Sequence, residues 1–357
     1  MQLRLIGELR LLEEIRRRFN VPAQKGDSGI IIGIGDDAAA IAPPAEKIEK
    51  VLVTTDLMHE GVHFDLSYTA PFHLGFKLVS VNVSDIMAMG GTPRYLLLTA
   101  SLKEDTDETF FWEFYEGVSR ALQQYGLALI GGDLSSARND MVFSATVLGS
   151  TRKLITRGGA VPGDRIYVTS ATGDAACGLE VLKRLAPESK EAVKLWKNFA
   201  DPLPDMMLTN REGFVKLDGN KIRPLLARHL MPVAREVREL LPCITSMIDV
   251  SDGLFIDLCR VCDESHVGAR VYLEKIPISE SMRFSAGCMG SSPMEFAASG
   301  GEDYELLFTI SPEAAEKFGC IRAFCIGEIT DKERVTVDNS GREAALKTEG
   351  YQHFGIA

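Results

Sequence analysis

Apolar positions along the chain follow two rhythms, one of period two and one near 3.6, and the switches between them mark the elements. The opening "MQLRLIGELRLLEEIRRRF" sets leucines among charges at helical spacing. "VLVTTDLMHEGVHF" reads as a strand running into a polar loop. "APFHLGFKLVSVNVSDIMAMGG" carries Leu74, Leu78, Val81, Ile86 and Met89 at a helical period and stops on two glycines. "PRYLLLTASL" predicts a strand, and "DETFFWEFYEGVSRALQQYG" an amphipathic helix stopped by Gly126. "LALIGGD" and "MVFSATVLGS" return to strand. Gly and Pro interrupt the pattern at "TRGGAVPGD", residues 156–164. It restarts with a strand "RIYVTSA", a Gly-Asp turn, and helices "AACGLEVLKRL" and "VAREVRELL". The strand "ITSMIDV", the helix "GLFIDLCRVCDE", strands "ARVYLE" and "YELLFTI" and a short tail follow. Residues 187–227 are charged and weakly periodic, which predicts a surface excursion.

The expected fold class is therefore α/β (α+β) in two domains, residues 1–153 and 154–357, since 357 residues suffice for two cores. A net charge of −11 argues against nonspecific binding to nucleic acid or to an anionic membrane. It leaves room for an anionic substrate, because clustered acids can hold divalent cations that reverse the local sign. The N-terminus lacks the continuous apolar core of a signal peptide, and no run approaches the roughly 20 apolar residues of a membrane span. Seven scattered cysteines point to a reducing, cytoplasmic setting. Cys259 and Cys262 form a lone C-x-x-C inside a helical pattern and read as core, not as a zinc site.

The candidate chemistry lies in acids. They recur beside small or hydroxyl residues at expected strand or helix ends: Asp36–Asp37 in "GIGDDAA", Asp56 in "VTTDL", and Asp85 in "VNVSD". Asp133 in "LIGGD", Asp249 and Asp252 in "IDVSDG", and Glu302–Asp303 in "SGGEDYEL" complete the set. Each alone has an ordinary reading: Asp252 as a helix cap, Asp133 in an Asx turn, Asp85 in a local pair. Together they are harder to dismiss. Asn82 and Asp85, three apart, share a helical face with Leu78, Val81 and Met89. A carboxylate near a buried face costs several kcal/mol unless it is paired or metal-bound. Magnesium, which takes oxygen ligands from a few carboxylates and from phosphates, resolves this better than calcium, since no EF-hand spacing is present. Hydroxyls or carbonyls of Thr54 and Thr55 suit remaining positions, and Gly131–Gly132 would let backbone N–H groups approach phosphate. Arg157 is the best-placed cation for a phosphate grip. No P-loop, G-x-G-x-x-G or kinase H-R-D and D-F-G pattern occurs.

The blocks "GIGDDAA", "TTDLMHEGVHF", "VNVSDIMAMGGTP", "LIGGD", "ITRGGAVPGDRIYVT", "IDVSDGL" and "SGGEDYELLFT" occur in the order found in the thiamine-monophosphate kinase family. The chain resembles that family, part of the aminoimidazole-ribonucleotide synthetase-like superfamily, over nearly its whole length. The resemblance implies a two-domain architecture whose N-terminal domain forms a homodimer and carries the nucleotide and metal site. It implies transfer of the γ-phosphoryl group of ATP to thiamine monophosphate, helped by several Mg²⁺ ions, to give thiamine diphosphate. Carried over block by block, Asp37, Thr54, Thr55, Asp56, Asp85, Asp133, Asp249 and Asp252 would contact metal. Tyr115, Gly132, Asp133, Arg157 and Ser251 would contact nucleotide, and His63, Glu302 and Tyr351 the thiamine phosphate. Leu134 departs from the hydroxyl residue common after "GGD", and residues 187–227 exceed the family's usual length. The alternative is another ATP-dependent member of the superfamily, such as aminoimidazole-ribonucleotide synthetase. Selenophosphate synthetase would want an N-terminal reactive cysteine, and the first here is Cys177. Because the acceptor is already a phosphate monoester, direct in-line transfer without a phosphoenzyme or general base is the expected mechanism.

Overall fold

The computed structural model describes residues 8–19, 30–32, 40–41, 49–198, 200–210, 213–318, 321–347 and 350–351. The chain divides into two units, residues 1–87 with 91–154 and residues 88–90 with 155–357. The first contains α1 (Glu8–Phe19), β1 (Ile30–Ile32), β2 (Ala40–Ile41), β3 (Lys50–His59), α2 (Pro71–Ala88), β4 (Thr92–Lys103), α3 (Glu108–Tyr125), β5 (Ala128–Ala137) and β6 (Val142–Thr151). Local chemistry sets the helix ends. Pro71 opens α2, where its missing N–H is no loss. Asp107 caps α3 by accepting the Thr109 N–H at 2.8 Å, and Gly126 ends it in the left-handed region.

Four strands form one sheet in the order β3-β6-β4-β5. β6 runs antiparallel to both neighbours, and β4 and β5 are parallel. The strand rhythm sorts the faces. Leu96, Leu98, Ala100, Phe143, Ala145 and Val147 are buried on the side of α2 and α3, where the Phe114 and Phe143 rings meet at 4.5 Å. Val51, Val53 and Leu57 alternate with them on β3 and stay 51–63% exposed. That leaves an apolar row on the open face of the sheet.

α2 and α3 cross on glycines. A Cβ at Gly75 would lie 2.0 Å from the Phe114 carbonyl oxygen, and one at Gly117 would lie 1.9 Å from that of Phe72. Gly117→Ala must therefore push backbone, which cannot yield as a side chain can. Overpacking costs about 1–3 kcal/mol, and at about 2–4 °C per kcal/mol the upper end lowers the melting midpoint by roughly 6–12 °C. Thermal melting followed by circular dichroism checks this. An unchanged midpoint would mean the crossing is loose.

The second unit holds β7 (Arg165–Val168), α4 (Asp174–Arg184), α5 (Pro187–Lys194), β8 (Met206–Asn210), β9 (Gly213–Leu217), α6 (Gly219–Leu230), β10 (Ile244–Val250), α7 (Leu254–Ser265) and β11 (Gly268–Tyr272). α8 (Glu280–Met289), α9 (Pro293–Ser299), β12 (Glu305–Ile310), α10 (Pro312–Phe318), β13 (Phe324–Thr330), β14 (Arg334–Val337) and β15 (Glu343–Ala345) follow. Its seven-stranded sheet runs β10-β12-β7-β13-β11-β14-β15, with only β11 and β14 parallel. Ile166, Val168, Ile248 and Val250 pack on one face with Leu254, Leu258 and Val261 of α7. Tyr167, Met247, Leu306 and Phe308 pack on the other, the Tyr167 and Phe308 rings stacking at 5.6 Å.

Several expectations change here. Residues 187–227 are not only surface: they form α5, the β8–β9 hairpin and most of α6, whose Ile222, Leu225 and Leu226 are fully buried. Residues 233–241 do not form a helix. Only Arg238–Leu240 make a 3-10 turn, because Pro232 and Pro242 bracket the segment and Arg235 turns aside to Glu305. The tail adds β13, β14 and β15. Cys259 and Cys262 are buried in the α7 core, where burial pushes the Cys262 thiol up to about 12. Among the described residues, no helix is long and apolar enough to cross a membrane.

Candidate active site

In the first unit, α2 and β3 bring acids together. Asn82 and Asp85 do face the sheet side by side. The fully buried Asn82 donates its amide to the Leu78 carbonyl at 2.9 Å and accepts the Asp56 N–H at 3.0 Å. One turn on, Asp85 Oδ2 accepts the Thr54 hydroxyl at 2.5 Å. Thr54 and Asp56 alternate onto this inner face, so strand period and helix period converge on one cluster. Burial, and then the charge of Asp85, push the Asp56 carboxyl up to about 6. Two carboxylates and a hydroxyl are hard oxygen donors, and a divalent cation between them would remove the repulsion. The donor set therefore fits magnesium, which often uses one or two carboxylates and fills the remaining positions with water and phosphate. No group of three His, Cys, Asp or Glu side chains converges on a metal position among the described residues.

The other candidates of this unit lie elsewhere. Thr55 points to the opposite face, its hydroxyl donating to the Ala145 carbonyl at 3.0 Å. Asp133, expected at a strand end, sits within β5, paired with Thr99 of β4 and exposed. Two strands separate β5 from β3, a distance of roughly 14 Å at ordinary strand spacing. Gly132, beside it, lies where a Cβ would strike the Leu98 carbonyl oxygen at 1.9 Å. His63 closes the turn after β3, its Nδ1 accepting the His59 N–H at 3.1 Å. Tyr115 is buried among Phe19, Phe111, Trp112 and Phe114, a core position that lends no support to a nucleotide contact. Asp37, with Asp36, lies outside the described residues.

In the second unit the blocks "IDVSDG" and "SGGEDYE" and the tail meet through their backbones. Buried Asp249 ends the β10 pairing beside Val250, opposite Leu306. The Ser251 carbonyl accepts the Glu302 N–H at 2.7 Å, and the Asp252 carbonyl accepts the Tyr351 N–H at 3.0 Å. A Cβ at Gly301 would come within 2.7 Å of that same Ser251 oxygen, so only glycine lets the loops close. Glu302 and Tyr304 both adopt left-handed φ, 67° and 53°, each costing about 1–2 kcal/mol. Arg157 stands exposed on its loop, whose carbonyl accepts the Ser265 hydroxyl at 3.0 Å.

Four important groups here escaped the sequence reading. Asp252 does not cap α7. Asp257 does so from within the first turn, one oxygen accepting the N–H groups of Ser251, Asp252 and Gly253 at 3.1–3.2 Å. Arg260 then bridges Asp257 and Asp252, both at 2.6 Å. Fully buried Glu305 pairs with Arg228 and with Arg235. A charge inside the apolar run "YELLFTI" was the available signal. His229 Nδ1 lies 3.1 Å from Glu302 Oε2.

Asp303 has a structural task. It accepts the Gly173 and Ala175 N–H groups at the start of α4, and burial pushes its carboxyl up to about 7. Between the ordinary aspartate value of about 3.9 and about 7, the folded chain holds this proton longer than the unfolded one. Its contribution to stability is therefore present at low pH and is lost as pH rises across that window. Melting midpoints of the wild type should fall between about pH 4 and pH 7. Asp303→Asn should flatten that slope, and an identical slope in both proteins would rule out Asp303 as its source.

Comparison with known proteins adds to this geometry. Residues 35–151 match the AIR synthase related protein N-terminal domain, and residues 161–339 match its C-terminal domain. The thiamine-monophosphate kinase of Aquifex aeolicus (strain VF5) is 32% identical over 356 residues, covering 99% of this chain and 100% of that one. The crystal structure of the Stenotrophomonas maltophilia K279a thiamine-monophosphate kinase aligns with a TM-score of 0.72 at 30% identity, covering 94% and 96% of the two chains. The solved structure of AaThiL complexed with AMPPCP and TMP aligns with a TM-score of 0.69 at 29% identity, over 99% of both chains.

Proposed function

The chain belongs to the thiamine-monophosphate kinase family of AIR synthase related proteins, and from that we propose that it makes thiamine diphosphate by direct in-line phosphoryl transfer. It is an ATP-dependent kinase acting on thiamine monophosphate. The observation that carries the mechanistic reading is the Asp56–Asp85 pair, with one carboxyl raised to about 6 beside the other. Such a pair is costly in an empty fold and useful where two polyanions must approach each other. Magnesium held by Asp56 and Asp85 would supply positive charge that offsets the negative charge of the phosphate groups.

The chain's own residues supply position. Asn82 ties β3 to α2 through the Asp56 N–H, and Thr54 fixes the Asp85 carboxylate, so both acids are oriented before substrate arrives. Asp37, Asp133, Asp249, Asp252 and the Thr55 backbone carbonyl are the further metal contacts we assign. Gly132, Asp133, Arg157 and Ser251 are assigned to nucleotide, and His63, Glu302 and Tyr351 to the thiamine phosphate. The acceptor phosphate, whose second ionisation lies near pH 6, is itself the nucleophile and requires no general base. The metal contacts are assigned mainly to the N-terminal unit, the nucleotide contacts to residues of both units, and the substrate contacts mainly to the C-terminal unit. A second copy of the chain covers the open apolar row at Val51, Val53 and Leu57, giving a homodimer.

The test is ADP release with Mg-ATP and thiamine monophosphate, run beside formylglycinamidine ribonucleotide. Turnover with the first supports the reading. Turnover only with the second reassigns the chain within its superfamily, and a phosphorylated side chain trapped during turnover overturns direct transfer.

A further inference from the structure

We infer that His229 is a positioning residue for the acceptor substrate: from the last turn of α6 it fixes the Glu302 carboxylate in the orientation that meets thiamine monophosphate. This rests on the assignment of Glu302 as a substrate contact. The backbone of Glu302 is already pinned, with φ at 67° and its N–H on the Ser251 carbonyl at 2.7 Å. The side chain retains several rotatable bonds, and without a partner its carboxylate would sweep through a range of positions. His229 removes that freedom. It is 3% exposed, and its Nδ1 lies 3.1 Å from one carboxylate oxygen of a side chain that is itself 29% exposed. A buried ring thus stands against the carboxylate of a side chain that still reaches solvent.

The neighbours of His229 already anchor the segment. Arg228 lies 3.4 Å from the Asp303 carbonyl and pairs with the Glu305 carboxylate, while Asp303 caps α4. These contacts hold the 302–305 backbone, so the added His229 contact to a partly exposed acid contributes little to stability. What it adds is direction at the one acid of the segment that reaches solvent.

His229→Phe should raise KM for thiamine monophosphate about tenfold or more, the scale of losing one close polar contact to a charged group. KM for ATP and kcat should stay within about threefold, and the melting midpoint should hold. His229→Asn, whose amide nitrogen occupies the place of Nδ1, should return KM to within about threefold of wild type. In a Glu302→Ala background, His229→Phe should add nothing further. A folded His229→Phe with wild-type KM, while Glu302→Ala raises it, overturns the role of His229 and leaves Glu302 standing. Unchanged KM in Glu302→Ala overturns the assignment of Glu302 and this inference with it. If the phenylalanine variant does not fold, His229→Gln, which carries its amide past the Nδ1 position, is expected to raise KM and would overturn the inference by leaving it unchanged.

Discussion

Asp85→Asn should abolish turnover, lowering kcat/KM for thiamine monophosphate by about a thousandfold or more, while the melting midpoint holds or rises. A thousandfold corresponds to about 4 kcal/mol of transition-state stabilisation, within reach of one charge at a phosphoryl-transfer centre. The local structure survives because asparagine can still accept the Thr54 hydroxyl that now meets Asp85 at 2.5 Å. Stability should gain, because the Asp56 carboxyl is raised partly by the charge of Asp85. Above about pH 6 Asp56 is ionised beside the Asp85 charge and the folded chain bears their repulsion, which the substitution removes. Steady-state kinetics across a wide range of magnesium concentrations, with melting curves on the same preparations, read both effects. Turnover like that of the wild type at every concentration would make Asp85 a structural residue.

The second large effect is on stability. Glu305→Leu should lower the melting midpoint of the second unit by roughly 6–20 °C, from a loss of about 3–5 kcal/mol at about 2–4 °C per kcal/mol. Glu305 is fully buried and accepts from Arg228, from Arg235 and from the Thr169 hydroxyl. Removing it leaves two guanidinium groups and a hydroxyl facing a leucine, with the charge uncompensated. Differential scanning calorimetry reads the change directly. A midpoint within about 2 °C of wild type would mean that water or another acid takes over the arginines.

What could be read in advance follows from which residues share a rhythm. Asn82 and Asp85 were placed together because three residues apart on a helix is a local rule, and the structure keeps them together. The partner strand was also read, but Asp56 and Asp133 were expected at strand ends and lie within strands. That error came from treating an acid as a stop signal, when Asp133 lies exposed on its strand and Asp56 is accommodated on the inner face beside Asn82. Val51, Val53 and Leu57 look like core in the sequence, because alternation does not say which face is covered. In α6, the spacing of Ile222, Leu225, Leu226 and Leu230 is helical, but Pro224 inside the helix and the surrounding charges concealed it. Asp257 and Arg260 were invisible for a different reason: which of several nearby acids caps a helix depends on where the loop folds back. The contact that requires glycine at 301, a close approach to the Ser251 carbonyl, was equally invisible, because it joins loops far apart in sequence.

The glycine crossing of α2 and α3 also bears on time scale. Leu74, Phe76, Leu78, Val79, Val83 and Ile86 of α2 are at most 2% exposed, and the two backbones meet without intervening side chains. Opening α2 therefore means dismantling most of the unit, so its amide hydrogens should be among the slowest there to exchange with solvent deuterium. Asn82 and Asp85 ride on that helix. Asp85, the proposed magnesium ligand, is thus carried by a slow-opening part of its unit, and adjustment during a catalytic cycle would fall to the substrates and the loops around it.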